Sequence, residues 1–267
     1  MRIGIIGHCG VVGGAYAQVY HDRGANVIGI DPADPETHSY SDLDGVSMVY
    51  VCVPSPTDST GYCDTTVLVE TVSDVIALEL GVPIVCKTTA TPEIYEKLQR
   101  RSNTVVHSPE FLRQNHAVFD IEHAELAVYG GTPNATRIVR LVESQFIFDS
   151  HRTTVELTDI KTAAIYKYLR NSFLAAKVTF MNDFYNLAEA TGVDWKNVQH
   201  ILERDSIVGP THNAVPGPDG YGWAGACFPK DLTALLNYAN VQAVDLPVLE
   251  SVLKRNQQHR LKNKDTK

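Results

Sequence analysis

A chain of 267 residues with 44% hydrophobic and 20% charged side chains can bury an ample core, as one large domain or two modest ones. Its formal charge of -8 excludes a general nucleic-acid binder, whose affinity leans on Lys and Arg against phosphate, so an anionic ligand requires a local pocket of donors. No apolar run approaches a membrane span, and the opening MRIGIIGHCG reads as a buried strand entering a turn rather than a signal peptide. The five cysteines (Cys9, Cys52, Cys63, Cys86 and Cys227) include no CxxC pair. They point to reduced thiols in a cytoplasmic protein, and away from a disulfide framework or a metal site.

Along the chain, short apolar and β-branched runs at residues 3–6, 27–30, 49–53, 84–86 and 104–106 predict strands. Helical patterns lie between them at 15–23, ending at Gly24, and at 65–80, ending at Gly81. Thr91-Pro92-Glu93 reads as a helix cap followed by proline in the first turn. Fully apolar strands separated by helices predict a parallel sheet covered on both faces, an α/β doubly wound, Rossmann-type arrangement. A strand at 125–129, a helix at 134–145 and a strand near 153–156 complete it, giving a first domain over residues 1–155.

The character then changes. Residues 134–191 contain neither Gly nor Pro, and 158–190 reads as one helix of roughly 50 Å. Its apolar residues cover more than one narrow stripe, which predicts burial on several sides and a homodimer through this helix. A Gly/Pro-rich loop (208–225) and helices near 232–238 and 247–258 follow. The second domain, 156–267, is therefore all-helical, built on the long helix, with KRNQQHRLKNKDTK as a solvated, fraying tail.

The first strand runs into GHCGVVGGAYA, which places Gly7, Gly10 and Gly13 between strand and helix. Glycines there let the backbone turn tightly and approach a diphosphate at the helix N-terminus. The spacing is G-x-x-G-x-x-G, one residue longer than the usual dinucleotide turn. Asp31 ends the second strand, where a carboxylate accepts bonds from an adenosine ribose and repels a 2′-phosphate. Together they predict NAD as cofactor.

Three further segments carry chemistry. In GWAGACFPKD (222–231), Cys227 follows small residues that leave its sulfur accessible, and Lys230 and a following helix start would favour a thiolate. In YKYLRNSF, Lys167 and Asn171 stand at i and i+4, an ammonium and an amide one turn apart, suited to hold an oxyanion or a water. SPEFLRQ (108–114) and CKTTATPE (86–93) each follow a strand end, where open α/β sheets bind ligands. There Glu110 is a candidate general base and Thr89 a hydroxyl that orients water.

These segments, with PEFL, the Lys-Thr-Thr run and VPSPT…G-x-x-D (53–57 and 61–64), resemble the UDP-glucose/GDP-mannose dehydrogenase family in order and spacing from Met1 to about Gln258. The resemblance implies a UDP-glucose 6-dehydrogenase-like enzyme in nucleotide-sugar metabolism and polysaccharide biosynthesis. It would pass two hydrides to NAD, converting a sugar's primary alcohol to a carboxylate through a thiohemiacetal and a thioester on Cys227. It further implies that Lys167 and Asn171 steady the oxyanion, and that Glu110, Thr89 and Asp231 handle water. Phe111, Leu112 and Gly225 would join Glu110, Lys167 and Asn171 around the substrate. Val11, Val12, Thr57, Thr89, Gln114 and Lys230 would join Gly7, Gly10, Gly13 and Asp31 around NAD. Against the family pattern, Gln114 replaces a second acid after PEFL, and Asp205-Ser206-Ile207-Val208-Gly209 lacks an Arg. The sequence also reads as a short form without the family's second, nucleotide-binding domain, which a separate chain would then supply. Two other readings remain: a two-electron β-hydroxyacid-type dehydrogenase, which needs no thiol, and a non-catalytic NAD-binding dimer.

Overall fold

The structure is a computed structural model that describes residues 1–58, 61–148 and 152–265. It divides into two compact units, Met1–Pro56 with Cys63–Lys167, and Thr57–Tyr62 with Tyr168–Lys267.

The first unit is α/β. In chain order it comprises β1 (Arg2–Ile6), α1 (Val11–Asp22), β2 (Asn26–Ile30), β3 (Val49–Val51), α2 (Thr66–Ala77), β4 (Ile84–Cys86), α3 (Pro92–Arg101), β5 (Val105–His107), α4 (Ala117–Glu122), β6 (Leu126–Gly130), α5 (Pro133–Phe146) and β7 (Thr154–Thr158). Among the described residues the strands form one sheet in the order β2-β1-β3-β4-β5-β6-β7. All neighbours are parallel except β5 and β6, which meet only at His107 and Gly130. The alternation along the strands explains why both faces are covered. Ile6, Val49, Val51, Ile84, Cys86 and Val105 face one core with residues of α2 and α3. Ile3, Ile5, Tyr50, Val85 and Val106 face the other with residues of α1, α4 and α5.

Strand order reverses between β1 and β3, and ligands of such sheets bind at the carboxyl ends beside that reversal. Here α1 starts at Val11 rather than near Ala15 as its composition predicts. Gly13 makes the difference: a Cβ on it would lie 2.2 Å from the Gly7 carbonyl oxygen, so only glycine lets the helix begin this close to the turn.

Helix α6 (Ile160–Thr191) opens at Asp159, whose carboxylate accepts from the amides of Lys161 and Thr162. Its first turns belong to the first unit, with Ile160 and Ala164 in the sheet's core, so the division between units falls inside this helix rather than near residue 155.

The second unit contains the rest of α6, α7 (Trp195–Leu202), α8 (Cys227–Val241) and α9 (Pro247–Asp265). Neither α4 nor α7 is expected from the periodicity; α7 is short and starts on Asp194, whose side chain accepts from the Lys196 amide. The C-terminal segment is a correction. It is not a fraying tail: α9 runs to Asp265, with Asn256 and His259 buried. Asn256 Oδ1 accepts from the Trp223 amide and its Nδ2 donates to the Trp223 carbonyl. Asn263 brackets Tyr221 in the same way. Polar composition hides this packing because these amides bond loop backbone instead of filling an apolar stripe.

Replacing Asn256 with Ala therefore strands a buried amide and a buried carbonyl, at about 2 kcal/mol or more. The expected outcome is a lower urea midpoint than wild type; an unchanged midpoint would mean that α9 does not hold this loop.

Candidate active site

The turn after β1 is built on glycine. Gly7 has φ +87, and a Cβ there would lie 2.5 Å from the Cys52 carbonyl oxygen. Gly10 precedes α1 in extended conformation; no side chain caps that helix and no acid stands in its first turn. The amides of Val11, Val12 and Gly13 thus open the helix with no side-chain acceptor, which suits a diphosphate. Asp31 follows β2 and reaches the same turn, accepting from the Cys9 amide at 3.1 Å and the Ala33 amide at 2.9 Å. A dinucleotide's diphosphate and ribose hydroxyls match this pair of features, so the residues present fit NAD.

Below the carboxyl ends of β4 and β5 lies a polar network that the sequence reading does not anticipate. Lys87, with a side chain only 3% exposed, donates to the Tyr16 hydroxyl (2.7 Å) and the Ser108 hydroxyl (2.8 Å). Its ammonium is 3.7 Å from Glu110 Oε2 and 4.0 Å from Glu143 Oε1. Glu143, fully buried on α5, accepts from the Tyr50 and Tyr129 hydroxyls, and Tyr50 also bonds Tyr20. Burial first, then the Glu143 charge, pushes the Tyr20, Tyr50 and Tyr129 phenols well above their usual range, so all three remain donors. Nearby, His107 is stacked on Tyr95 and bonded to the Cys86 carbonyl; burial brings its pKa down to about 3, with the Lys167 and Lys87 charges adding, and the ring is neutral.

Glu110 is the member of this group that the sequence singles out. Its Oε1 accepts from the Phe111 amide at 2.8 Å, and Oε2 is buried without a hydrogen bond, facing Lys87. Lys167, buried on α6, donates to the Glu110 carbonyl and lies 5.3 Å from the Phe111 ring centroid. Phe111 meets Tyr166 edge-on, and Leu112 packs on the core beneath α1. Thr89 is half-buried and its carbonyl accepts from the Cys63 thiol; Gln114 is exposed in a short 3-10 turn.

In the second unit, Cys227 is exposed and is the first residue of α8, two positions after Gly225 with φ +77. Asp231, one helical turn further, is buried; its Oδ2 accepts from Asn171 Nδ2 at 2.6 Å and its Oδ1 from Lys230 Nζ at 2.8 Å. The structure thus brings Asn171, Lys230 and Asp231 together, and separately Lys167 with Glu110. Lys230, expected beside the cofactor, is engaged with Asp231, while Thr57 is exposed.

The comparisons with known proteins bear on both units. The model of the UDP-glucose/GDP-mannose dehydrogenase family, NAD binding domain, matches residues 35–147, and that of its central domain matches 161–258. Together they take in well over half of the chain. The chain belongs to this family. Glu110 and Thr89 fall in the first match and Lys167, Asn171, Cys227 and Asp231 in the second, whereas the glycine turn and Asp31 precede both. UDP-glucose 6-dehydrogenase TuaD of Bacillus subtilis is 31% identical over 226 residues, 80% of this chain and 47% of that protein. The UDP-glucose 6-dehydrogenase of Rickettsia bellii is 31% identical over 227 residues, 81% of this chain and 50% of that one. The chain thus spans about half the length of the curated relatives it matches. The fold is shared with a UDP-glucose dehydrogenase from Pyrobaculum islandicum, with TM-score 0.80 and 21% identity over 96% of this chain and 68% of the other. A UDP-D-ManNAc dehydrogenase from Pyrococcus horikoshii gives TM-score 0.78 at 21% identity, covering 97% and 69%. Among the described residues no helix is long and apolar enough to cross a membrane.

What the sequence reading missed is the support beneath Glu110. The available signal was a lysine directly after the wholly apolar β4, together with tyrosines at core positions of β3, β6 and α1. Lys87→Met leaves Glu143 buried without its cation and is expected to cost about 3 kcal/mol or more in urea unfolding. In a Glu143→Gln background the same change should cost at least about 1 kcal/mol less, since the two residues are coupled. Additive losses would show that the pair does not interact.

Proposed function

We propose that this chain oxidises the primary alcohol of a nucleotide-linked sugar, of the UDP-glucose to UDP-glucuronate type, to the carboxylate in two NAD-dependent steps. The observation that carries this reading is Cys227, an exposed thiol on the first turn of α8, one turn before a buried Asp231 held by Asn171 and Lys230. NAD, when bound, accepts the hydride at each oxidation. Loss of a hydride and a proton turns the alcohol into an aldehyde. The Cys227 sulfur then adds to the aldehyde carbon while the carbonyl oxygen gains a proton, giving a thiohemiacetal. Loss of a second hydride and proton leaves a thioester, which water cleaves to the carboxylate and the free thiol. The thiol adduct gives the aldehyde carbon a hydride to donate and holds it for the second oxidation.

In this reading Lys167 and Asn171 stabilise the oxygen that carries developing negative charge. Glu110, Thr89 and Asp231 position or activate water, with Phe111, Leu112 and Gly225 against the substrate. Gly7, Gly10, Gly13, Val11, Val12 and Asp31 hold the diphosphate and ribose of NAD, with Thr57, Gln114 and Lys230 beside it. Support comes from the family membership and from the two clusters around Glu110 and Asp231.

The test is NADH formation with UDP- and GDP-linked sugars, wild type against Cys227→Ser. The expected result is two NADH per sugar, lost in the variant. One NADH per substrate, undiminished by the substitution, would instead indicate a two-electron dehydrogenase.

We also infer that the helical unit self-associates through α6, where Leu169, Phe173, Phe180, Phe184 and Leu187 are all exposed. Sedimentation at micromolar concentration should give a dimer, and Phe173→Glu with Phe180→Glu a folded monomer; a monomeric wild type refutes it.

A further inference from the structure

The turn after β1 carries two side chains, His8 and Cys9, that neither the cofactor nor the catalytic reading uses. His8 and Cys9 lie between Gly7 and Gly10, and the fold brings His8 to Asp34 and the Cys9 amide to Asp31, beyond the end of β2. One donor atom from each of His8, Cys9 and Asp31 lies within 4.8 Å of the other two. The Cys9 sulfur is 3.8 Å from His8 Nε2, and Asp34 Oδ2 is 2.9 Å from the same nitrogen. In a tetrahedral zinc site, metal–ligand bonds of roughly 2.0–2.3 Å place neighbouring donors about 3.5 Å apart. The Cys9–His8 spacing is close to that value, and Asp31 lies within reach of both.

The surroundings favour a cation. Among the described residues neither Asp31 nor Asp34 forms an ion pair with a lysine or arginine; the one pairing recorded is Asp34 with His8. The imidazole is also seated. Gly29 on β2 has no side chain, and a Cβ there would lie 2.8 Å from the His8 ring, so this glycine leaves the space the ring occupies.

We propose that His8, Cys9 and Asp31 form a three-residue site for a zinc-class divalent cation, with water as the fourth donor. The thiol and imidazole select zinc-like ions over magnesium or calcium, which prefer oxygen alone. On binding, the metal takes the Nε2 lone pair in place of the His8–Asp34 hydrogen bond, the imidazole proton resides on Nδ1, and the thiol proton leaves to solvent. The site lies on the same turn and carboxylate that are assigned to NAD, so metal and dinucleotide exclude one another. That corollary, unlike the metal site itself, rests on the NAD reading.

The experiment is a Co²⁺ titration of the whole chain, followed by thiolate charge-transfer and tetrahedral d–d absorption, with Zn²⁺ as competitor. Wild type and Cys227→Ser should both develop the bands, and Zn²⁺ should abolish them. Cys9→Ser should lose the charge-transfer band, and His8→Gln should weaken binding by more than about tenfold. Bands that survive Cys9→Ser, or that vanish in Cys227→Ser, would overturn the site. In parallel, NADH binding to metal-free protein is followed by fluorescence, and Zn²⁺ should displace it from wild type but not from Cys9→Ser. Failure of metal-free protein to bind NADH would count against the NAD reading alone. NADH binding unaffected by Zn²⁺ would overturn the shared site while leaving the Co²⁺ result to judge the metal.

Discussion

A lysine ammonium almost sealed from solvent sits between two carboxylates below the carboxyl ends of the central strands, and the first unit's functional end is organised on it. Lys87 cannot be hydrated there, so its charge is compensated by Glu143 and Glu110 and its remaining protons by Tyr16 and Ser108. Glu143 in turn is tied to Tyr50 and Tyr129, which reach it from β3 and β6. Strands, α1 and α5 are thereby clamped around one charge, and Glu110 is presented in a defined place, with Lys167 on its carbonyl. Such a network is costly to break, and its stability is bound up with its use: removing the cation disturbs both the sheet and the candidate base.

The sheet was legible in the sequence because each of its central strands is apolar on both faces, a pattern that only a covered parallel sheet satisfies. The long helix was legible because nothing in residues 160–191 can break it. The start of α1 was not, because glycines at 13 and 14 argue against a helix unless one knows that the Gly7 carbonyl presses on that helix face. The helix at 247–258 was legible, but its continuation to Asp265 was not, for a related reason. Asn256 and Asn263 hold it by bonding loop backbone, which adds nothing to an apolar period.

The site divides in the same way. Lys167 and Asn171 stand out through their i, i+4 spacing, Cys227 through the small residues before it, and Glu110 through its place after a strand end together with the family resemblance. Lys87 and Glu143 do not, because their pairing depends on bringing β4 against α5. The metal-ligand group was invisible for a simpler cause: His8 and Cys9 meet Asp31 and Asp34 only once β1 and β2 pair, and no CxxC spacing signals it. The glycine turn thus carries both a dinucleotide-type helix entrance and, beside it, a thiol–imidazole–carboxylate cluster.

The central claim is covalent chemistry at Cys227, and the most direct measurement is the mass of the peptide that contains it. A Glu110→Gln variant, which removes the proposed water-activating carboxylate, would be incubated with NAD and a nucleotide sugar that supports NADH formation, then quenched in acid and digested. The account predicts an acyl adduct of the sugar nucleotide on the Cys227 peptide, removed by hydroxylamine. NADH formation with that peptide unmodified would contradict it.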